Sequence, residues 1–419
     1  MSNRSVIAGE QKNVLQTFAR LPLAAARGKG SYLWDEDGRR YLDFMCGISV
    51  TSLGHGHPAL LKAIQAQAAR LSHCCNLFYQ RAQVDLAEAL RRAAPFAARV
   101  AFANSGSEAN ELMIKFARRF GALQGRFEIL AFHGSFHGRT FGSLSASGQM
   151  KLHKGLDPLL PGFRHVPYND LEAARRSVNR HTAAILVEPV QGENGVIPGS
   201  VEFLVGLRRL ADRHGLLLML DEIQTGLGRT GPLFAFERLG HDCVPDLMSL
   251  AKSLGGGLPL SAVLAGERAA PALGAGEHGT TLGGNPVACA AGLALLKELR
   301  APKLLAGAQK ASALILSELG ALQAAHPHYI KAVRGSGLMI GVQLAAPAKG
   351  VVLACLEKGL IVNGTADTVL RLLPPLNLSL AEAKQGVAVL KDVLQEAAAK
   401  ASAGGARAPK RNPAPAASH

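Results

Sequence analysis

The chain has 419 residues, of which 48% are hydrophobic and 18% charged, with a formal net charge of +15. That length and balance give a large buried core divided between domains, and they exclude a disordered chain or a disulfide-stapled miniature. No apolar run reaches membrane-spanning length, the first residues lack a secretory signal, and Lys and Arg are dispersed without an aromatic platform, so neither membrane nor nucleic acid is an expected partner.

In chain order, residues 1–30 read as irregular, with a short helix near Val14–Arg20. Ser31–Phe44 reads as a hairpin around the D-E-D-G turn. The GHGHP loop follows, and its Pro58 opens a helix through Leu71; another helix covers about Gln83–Ala94. From residue 100 the pattern alternates. Val100–Ala103, Ile129–Phe132, Ala183–Val187, Leu216–Leu220, Leu247–Leu250 and Ala262–Ala265 read as strands. Ala109–Phe120 and Val201–His214 read as helices, the second stopped by Gly215. This alternation predicts an α/β fold with a mostly parallel sheet covered on both faces. Pro286–Leu299 is a helix leading into a second region, with a helix at Lys303–Leu319, strands near Val333–Leu344 and Leu360–Val362, and a last helix capped by Ser379 and Glu382. Residues 1–50 are expected to join a smaller α+β domain formed by 300–397, with 51–299 the large domain. Residues 398–419 read as a disordered basic tail rich in Ala, Gly and Pro.

Six cysteines lack any C-x-x-C spacing, so free thiols in the cytoplasm are expected. His55, His57, His133 and His137 sit in Gly-rich loops without acidic ligands, and no metal site is expected.

Two apolar runs end in chemistry. Leu216–Leu220 delivers Asp221, Glu222 and Gln224; Leu247–Leu250 delivers Lys252. Strand carboxyl ends are where open α/β sheets build sites. A carboxylate and a lysine placed so would suit a cofactor with a basic ring nitrogen and an aldehyde, although two solvated strand ends read equally well in isolation. Gly106 and Ser107, in NSGSEAN, could cradle an anion at a helix start or merely cap it. Phe136 and Arg139, in FHGRT, offer a stacking ring and a carboxylate-binding guanidinium. The two acids of EPVQGE, Glu188 and Glu193, could be catalytic, paired or solvated. GTTLGGNP, with Thr281, suits phosphate or a helix entry.

The ordered set NSGSEAN, FHGRT, EPVQGE, DEIQTGLGRTG, AKSLGGGLP, HGTTLGGNP and LRLLPPL resembles the class III, ornithine-type aminotransferases over roughly residues 14–397. That resemblance implies the aspartate aminotransferase fold (fold type I), pyridoxal 5'-phosphate as cofactor, and a homodimer. It implies that Lys252 forms the internal Schiff base, Asp221 pairs with the pyridinium nitrogen, Gln224 approaches the phenolic oxygen and Phe136 stacks on the ring. Gly106 and Ser107 would bind phosphate, joined by Thr281 of the neighbouring subunit. Arg139 would hold the substrate α-carboxylate, while Glu193 and Arg371 would form a switch that accepts an ω-amine and then a dicarboxylate. YLDFMCGISVTSLGHGHP, NLFY and RGSGLMIGV look most like the acetylornithine branch of arginine biosynthesis, with amino-acid and 2-oxo-acid substrates. Succinylornithine, ornithine, 4-aminobutyrate and succinyldiaminopimelate are the alternatives. Departures from the family pattern are Ser107 in place of Ala, Leu282 in place of an aromatic residue, Cys74 and Cys75 before NLFY, and a longer segment from Phe234 to Asp246.

Overall fold

The computed structural model describes residues 2–405. Its centre is a seven-stranded sheet in the order Ala97–Ala103, Ser261–Gly266, Leu247–Leu250, Leu217–Asp221, Thr182–Val187, Glu128–Phe132, Phe163–Val166. All neighbours run parallel except Ser261–Gly266, which is antiparallel to both of its own. The short 3-10 turn at Lys252–Gly255 explains that reversal: no helix intervenes to carry the chain back for a parallel return.

The four strands around the centre are wholly buried, because helices cover both faces. Alternate residues serve different cores. Leu218, Leu220, Ile185 and Val187 join the larger cluster, whereas Leu217, Met219, Ala184 and Leu186 face the cluster built on the helix Gly106–Gly121. Each such Leu is worth roughly 1.5–3 kcal/mol of burial, so the strand ends that carry the polar residues are anchored from both sides.

Local signals explain the helices. Ser200 Oγ accepts the Phe203 N–H at 3.1 Å to start Val201–His214, and Gly215 ends it at φ 65°. Pro286 opens Pro286–Leu299 behind the Asn285 cap. Ser379 and Glu382 exchange bonds at the start of Leu380–Gly405, as the capping box predicts.

The N-terminal strands Ala25–Lys29, Tyr32–Asp35 and Arg40–Asp43 form a sheet completed by Leu360–Ile361, parallel to Arg40–Asp43. A further sheet contains Ile330–Ser336, Met339–Leu344, Val369–Leu372 and Asn363–Thr365. Directly after Arg40–Asp43, four successive residues, Cys46–Ser49, take left-handed backbone with φ between 49° and 67°. Asp43 Oδ1 accepts the Met45 and Cys46 N–H groups at 2.9 and 2.8 Å and braces this turn. Left-handed backbone costs a non-glycine residue about 1–2 kcal/mol, so the turn persists only because its surroundings impose it.

Two expectations are corrected. The N-terminal helix spans Asn3–Asn13, capped reciprocally by Ser2 and Ser5, while 14–20 is irregular. Val14, Leu15 and Phe18 are all exposed, so no apolar face anchors a helix there. The terminal helix continues to Gly405, so residues 398–405 belong to it and not to a disordered tail. Its Ala-rich sequence sustains helix propensity past the last buried position, Ala398. The remainder of the expected tail, 406–419, lies outside the described residues.

Candidate active site

Asp221 ends its strand 4% exposed. Its Oδ2 accepts Asn110 Nδ2 and His137 Nδ1, both at 2.8 Å, and Oδ1 accepts the Ile223 N–H at 3.1 Å. Asn110 is itself fixed, donating to His137 O at 2.7 Å and accepting Ser249 Oγ at 2.9 Å. The carboxylate therefore has one orientation. His137 Nε2 is buried without a partner, and with Nδ1 donating to Asp221 it is free to accept a hydrogen bond.

Lys252 follows the adjacent strand at φ 46°, a left-handed conformation that a lysine adopts only under constraint. Burial lowers its pKa, and Arg371 adds to that; Glu193, Asp221 and Glu188 oppose it. The net direction favours a neutral, nucleophilic amine.

Between them lies a cavity of about 200 Å³, lined by Gly106, Ser107, Phe136, Asp221, Gln224 and Lys252, among others. Gly106 and Ser107 begin the helix Gly106–Gly121, whose first amides have no helical acceptor. An anion is favoured there by those amides and by the helix dipole. A side chain at 106 would meet Ile223 Cδ1 at 2.9 Å, so glycine keeps this approach open. The loop that presents Phe136 is pinned at three points: Phe136 N–H to Glu188 Oε1 at 2.9 Å, His137 N–H to Ser147 Oγ at 2.8 Å, and Arg139 N–H to Ser107 Oγ at 3.1 Å.

Arg371 is completely buried, and its Nη1 meets Glu193 Oε1 at 2.6 Å, Gly192 O at 3.1 Å and Gln224 Oε1 at 3.2 Å. Gln224 Nε2 also donates to Glu193 Oε1 at 3.1 Å, so Gln224 spans the cofactor cavity and this ion pair. Burial pushes the Glu193 carboxyl upward, but Arg371 and Lys252 outweigh it and hold its pKa below the ordinary value. Arg371 Nη2 has no partner. Glu188, by contrast, is pushed well above the carboxylate range by burial and by Asp221. Of the open readings for the EPVQGE acids, Glu193 is paired and Glu188 is buried.

Arg139 is exposed and stacks near Phe136, its Cζ 5.6 Å from the ring centroid. It lines a second, wider chamber of about 960 Å³, which it shares with Phe136, Glu193, Met45 and Ile48. Of the residues expected to hold the cofactor, Thr281 alone does not line the 200 Å³ cavity and is exposed on its loop, while Arg371 stands behind Glu193 and Gln224 and does not line it either. Asn110 and His137 were not foreseen as partners of Asp221. They stand 111 and 84 positions from it in the chain, and only their presence inside NSGSEAN and FHGRT marked them.

The donors fit a phosphorylated, aldehyde-bearing heteroaromatic group: amides for phosphate, a flat ring, a buried carboxylate and an amine share one cavity. The family model for aminotransferase class III matches residues 16–394. An acetylornithine aminotransferase of Caldanaerobacter subterraneus subsp. tengcongensis is 45% identical over 93% of this chain and 99% of its own. An ornithine aminotransferase of Toxoplasma gondii, whose structure shows partial occupancy of PLP at its active site, superposes with TM-score 0.92 at 30% identity, covering 96% of each chain. An acetylornithine aminotransferase of Elizabethkingia anophelis gives TM-score 0.84 at 31% identity, covering 94% of this chain and all of the other. With motifs, sheet and cavity in agreement, the chain belongs to the class III aminotransferase family.

Proposed function

We propose that this chain is a pyridoxal 5'-phosphate-dependent aminotransferase acting on N2-acetyl-L-ornithine and 2-oxoglutarate. The products are N-acetylglutamate 5-semialdehyde and glutamate, a step of arginine biosynthesis. The observation that carries the ω-amine and dicarboxylate reading is the part-buried Glu193–Arg371 pair at 2.6 Å, beside Lys252 and Gln224, and the acetylated substrate is supported by the acetylornithine aminotransferases that the chain resembles. A site that must admit an ω-amine and then a dicarboxylate needs a cation that can be covered and uncovered.

Gly106 and Ser107 would hold the phosphate, Phe136 would cover the ring face, and Asp221 would hold the ring nitrogen protonated. Lys252 would hold the aldehyde end through its ε-amine, with Gln224 near the phenolic oxygen. When bound, the cofactor supplies an aldehyde that takes up the amino group and a ring that accepts an electron pair. The Lys252 amine, once free, would take and return the proton at the substrate carbon, as base and then acid. Burial keeps that amine neutral more readily than a surface lysine. Arg139, without an ion pair among the described residues, would take the α-carboxylate in both half-reactions. Glu193 would cover Arg371 while the amine reacts and swing aside for the second carboxylate of 2-oxoglutarate.

A homodimer, with Thr281 serving the partner's phosphate site, agrees with the surface around that residue. Leu77, Phe78 and Tyr79 are 89%, 66% and fully exposed, and Leu282 is 54% exposed. Asn76 ties the two segments together by donating to Thr280 O and Gly283 O at 3.0 Å. An apolar patch of this kind marks an interface. The same reading divides the chain into a large domain, 51–299, and a smaller one drawn from 1–50 and 300–397. Among the described residues no helix is long and apolar enough to cross a membrane, and a cytoplasmic location agrees with six free thiols.

A longer acyl group is the second reading, because Arg20, Lys151 and Lys349 line the wide chamber along with its apolar walls. Purified enzyme assayed with 2-oxoglutarate against acetylornithine, succinylornithine, ornithine and 4-aminobutyrate decides. Acetylornithine should lead, and Lys252→Ala should abolish both turnover and the visible absorbance of the holoenzyme. A preference for free ornithine or 4-aminobutyrate would overturn the substrate assignment.

A further inference from the structure

Arg229 is 1% exposed, yet among the described residues no carboxylate pairs with it. Its acceptors are neutral: Nε donates to Ser49 Oγ at 2.8 Å, and Nη1 to Leu338 O at 3.0 Å and Pro374 O at 2.6 Å. Nη2 has no partner. A guanidinium removed from water without a counter-ion is costly to keep. Burial lowers its pKa to about 10, which still leaves it charged at neutral pH.

The surroundings show why a many-handed donor sits there. Pro374 and Pro375 follow the strand of Arg371 and have no N–H of their own. Two backbone bonds join this stretch to the N-terminal segment: Leu373 N–H to Phe44 O, and Leu376 N–H to Ser52 O, each at 2.7 Å. Between those two bonds the left-handed turn Cys46–Ser49 bulges out. Arg229 bonds Ser49 on one side of the gap and Pro374 on the other. Its third acceptor, Leu338, immediately precedes the strand in which Gly341 pairs with Arg371. The Leu338 N–H returns to Arg229 O at 3.0 Å.

We infer that Arg229 is the positioning residue of the second carboxylate site: one guanidinium joins the Arg371 strand, its neighbouring hairpin and the strained turn whose Ile48, with Met45 just before it, walls the chamber. It touches neither substrate nor cofactor, and it acts through Arg371 and the turn. The inference rests on reading Arg371 as the group that binds the second carboxylate. Lysine cannot replace it, because a single ammonium lacks the planar fork that reaches three acceptors in different directions.

Half-reaction kinetics on the holoenzyme test this, with Arg229→Lys, Arg229→Ala and the milder Ser49→Ala. Misplacing Arg371 should raise the KM for 2-oxoglutarate roughly 10- to 100-fold, and that for the ω-amine much less, with holoenzyme absorbance retained. Ser49→Ala, which keeps the guanidinium, should give the same split at smaller size. Added guanidinium ion should lower the raised KM of Arg229→Ala and leave Arg229→Lys unaffected. Unchanged 2-oxoglutarate kinetics in Ser49→Ala and Arg229→Lys would overturn the inference. So would equal losses for both substrates that guanidinium does not restore, since those mark a purely structural role. A wild-type enzyme unable to use 2-oxoglutarate would instead sink the functional reading itself.

Discussion

Asp221 and Arg371 are buried charges in neighbouring halves of one site, and they are held in opposite ways. Asp221 accepts from a side-chain amide, an imidazole and a backbone N–H, and its amide donor is locked by bonds of its own. No single bond decides its position. Arg371 donates to Gly192 O, Gln224 and Asn363, but its one charged partner is Glu193, whose side chain is 26% exposed, and its Nη2 is left over. The difference teaches where each function can reside. A carboxylate that must keep one orientation through both half-reactions is braced from several sides at the rigid strand ends. On the proposed function, a cation that serves alternate substrates would need a cover that can leave, and Glu193 is the one carboxylate on Arg371.

The rigid half can be broken at Asn110. Asn110→Leu should strip a bond from Asp221, His137 and Ser249 at once, costing roughly 1–3 kcal/mol for each partner left unpaired. Chemical unfolding of the holoenzyme should show that loss, and a titration with pyridoxal phosphate should show weakened cofactor binding. A variant with wild-type stability and cofactor affinity would mean that Asp221 is not held as described.

The movable half makes a pH prediction of smaller size. The folded-state pKa of Glu193 is depressed, so the pair is fully formed above the unfolded carboxylate value and is lost only as pH falls through the lower folded value. The ratio of kcat/KM for 2-oxoglutarate to that for acetylornithine, corrected for the amine's own ionisation, should therefore stay flat across neutral pH. It should rise only on the acid side of the ordinary carboxylate range, near 4.5. A step in that ratio near neutrality would place a different group in control.

Much of this division could be read from the sequence. The apolar runs before Asp221 and Lys252 announced buried strands with polar ends, and both lie where they were expected. Helices with strong punctuation were also readable: Val201–His214 and Pro286–Leu299 keep their predicted limits because Ser200, Gly215, Asn285 and Pro286 set them. What remained hidden depends on contacts between distant residues. Nothing local in Ser261–Gly266 distinguishes an antiparallel strand from a parallel one. His137 read as a loop histidine until the fold put it 2.8 Å from Asp221. Arg229 lies inside DEIQTGLGRTG, where no local pattern gives it a role, and only the meeting of three segments brings its acceptors together. The N-terminal helix has no buried residue, so no amphipathic pattern could reveal it.

The central claim, that the Glu193 charge covers Arg371, is tested most directly by single-turnover kinetics of both half-reactions in Glu193→Gln. Removing the charge leaves Arg371 available, so the rate constant ratio for glutamate over acetylornithine should rise about tenfold or more, equivalent to at least ~1.4 kcal/mol. A ratio equal to that of the wild type, in a variant with normal cofactor absorbance, would contradict it.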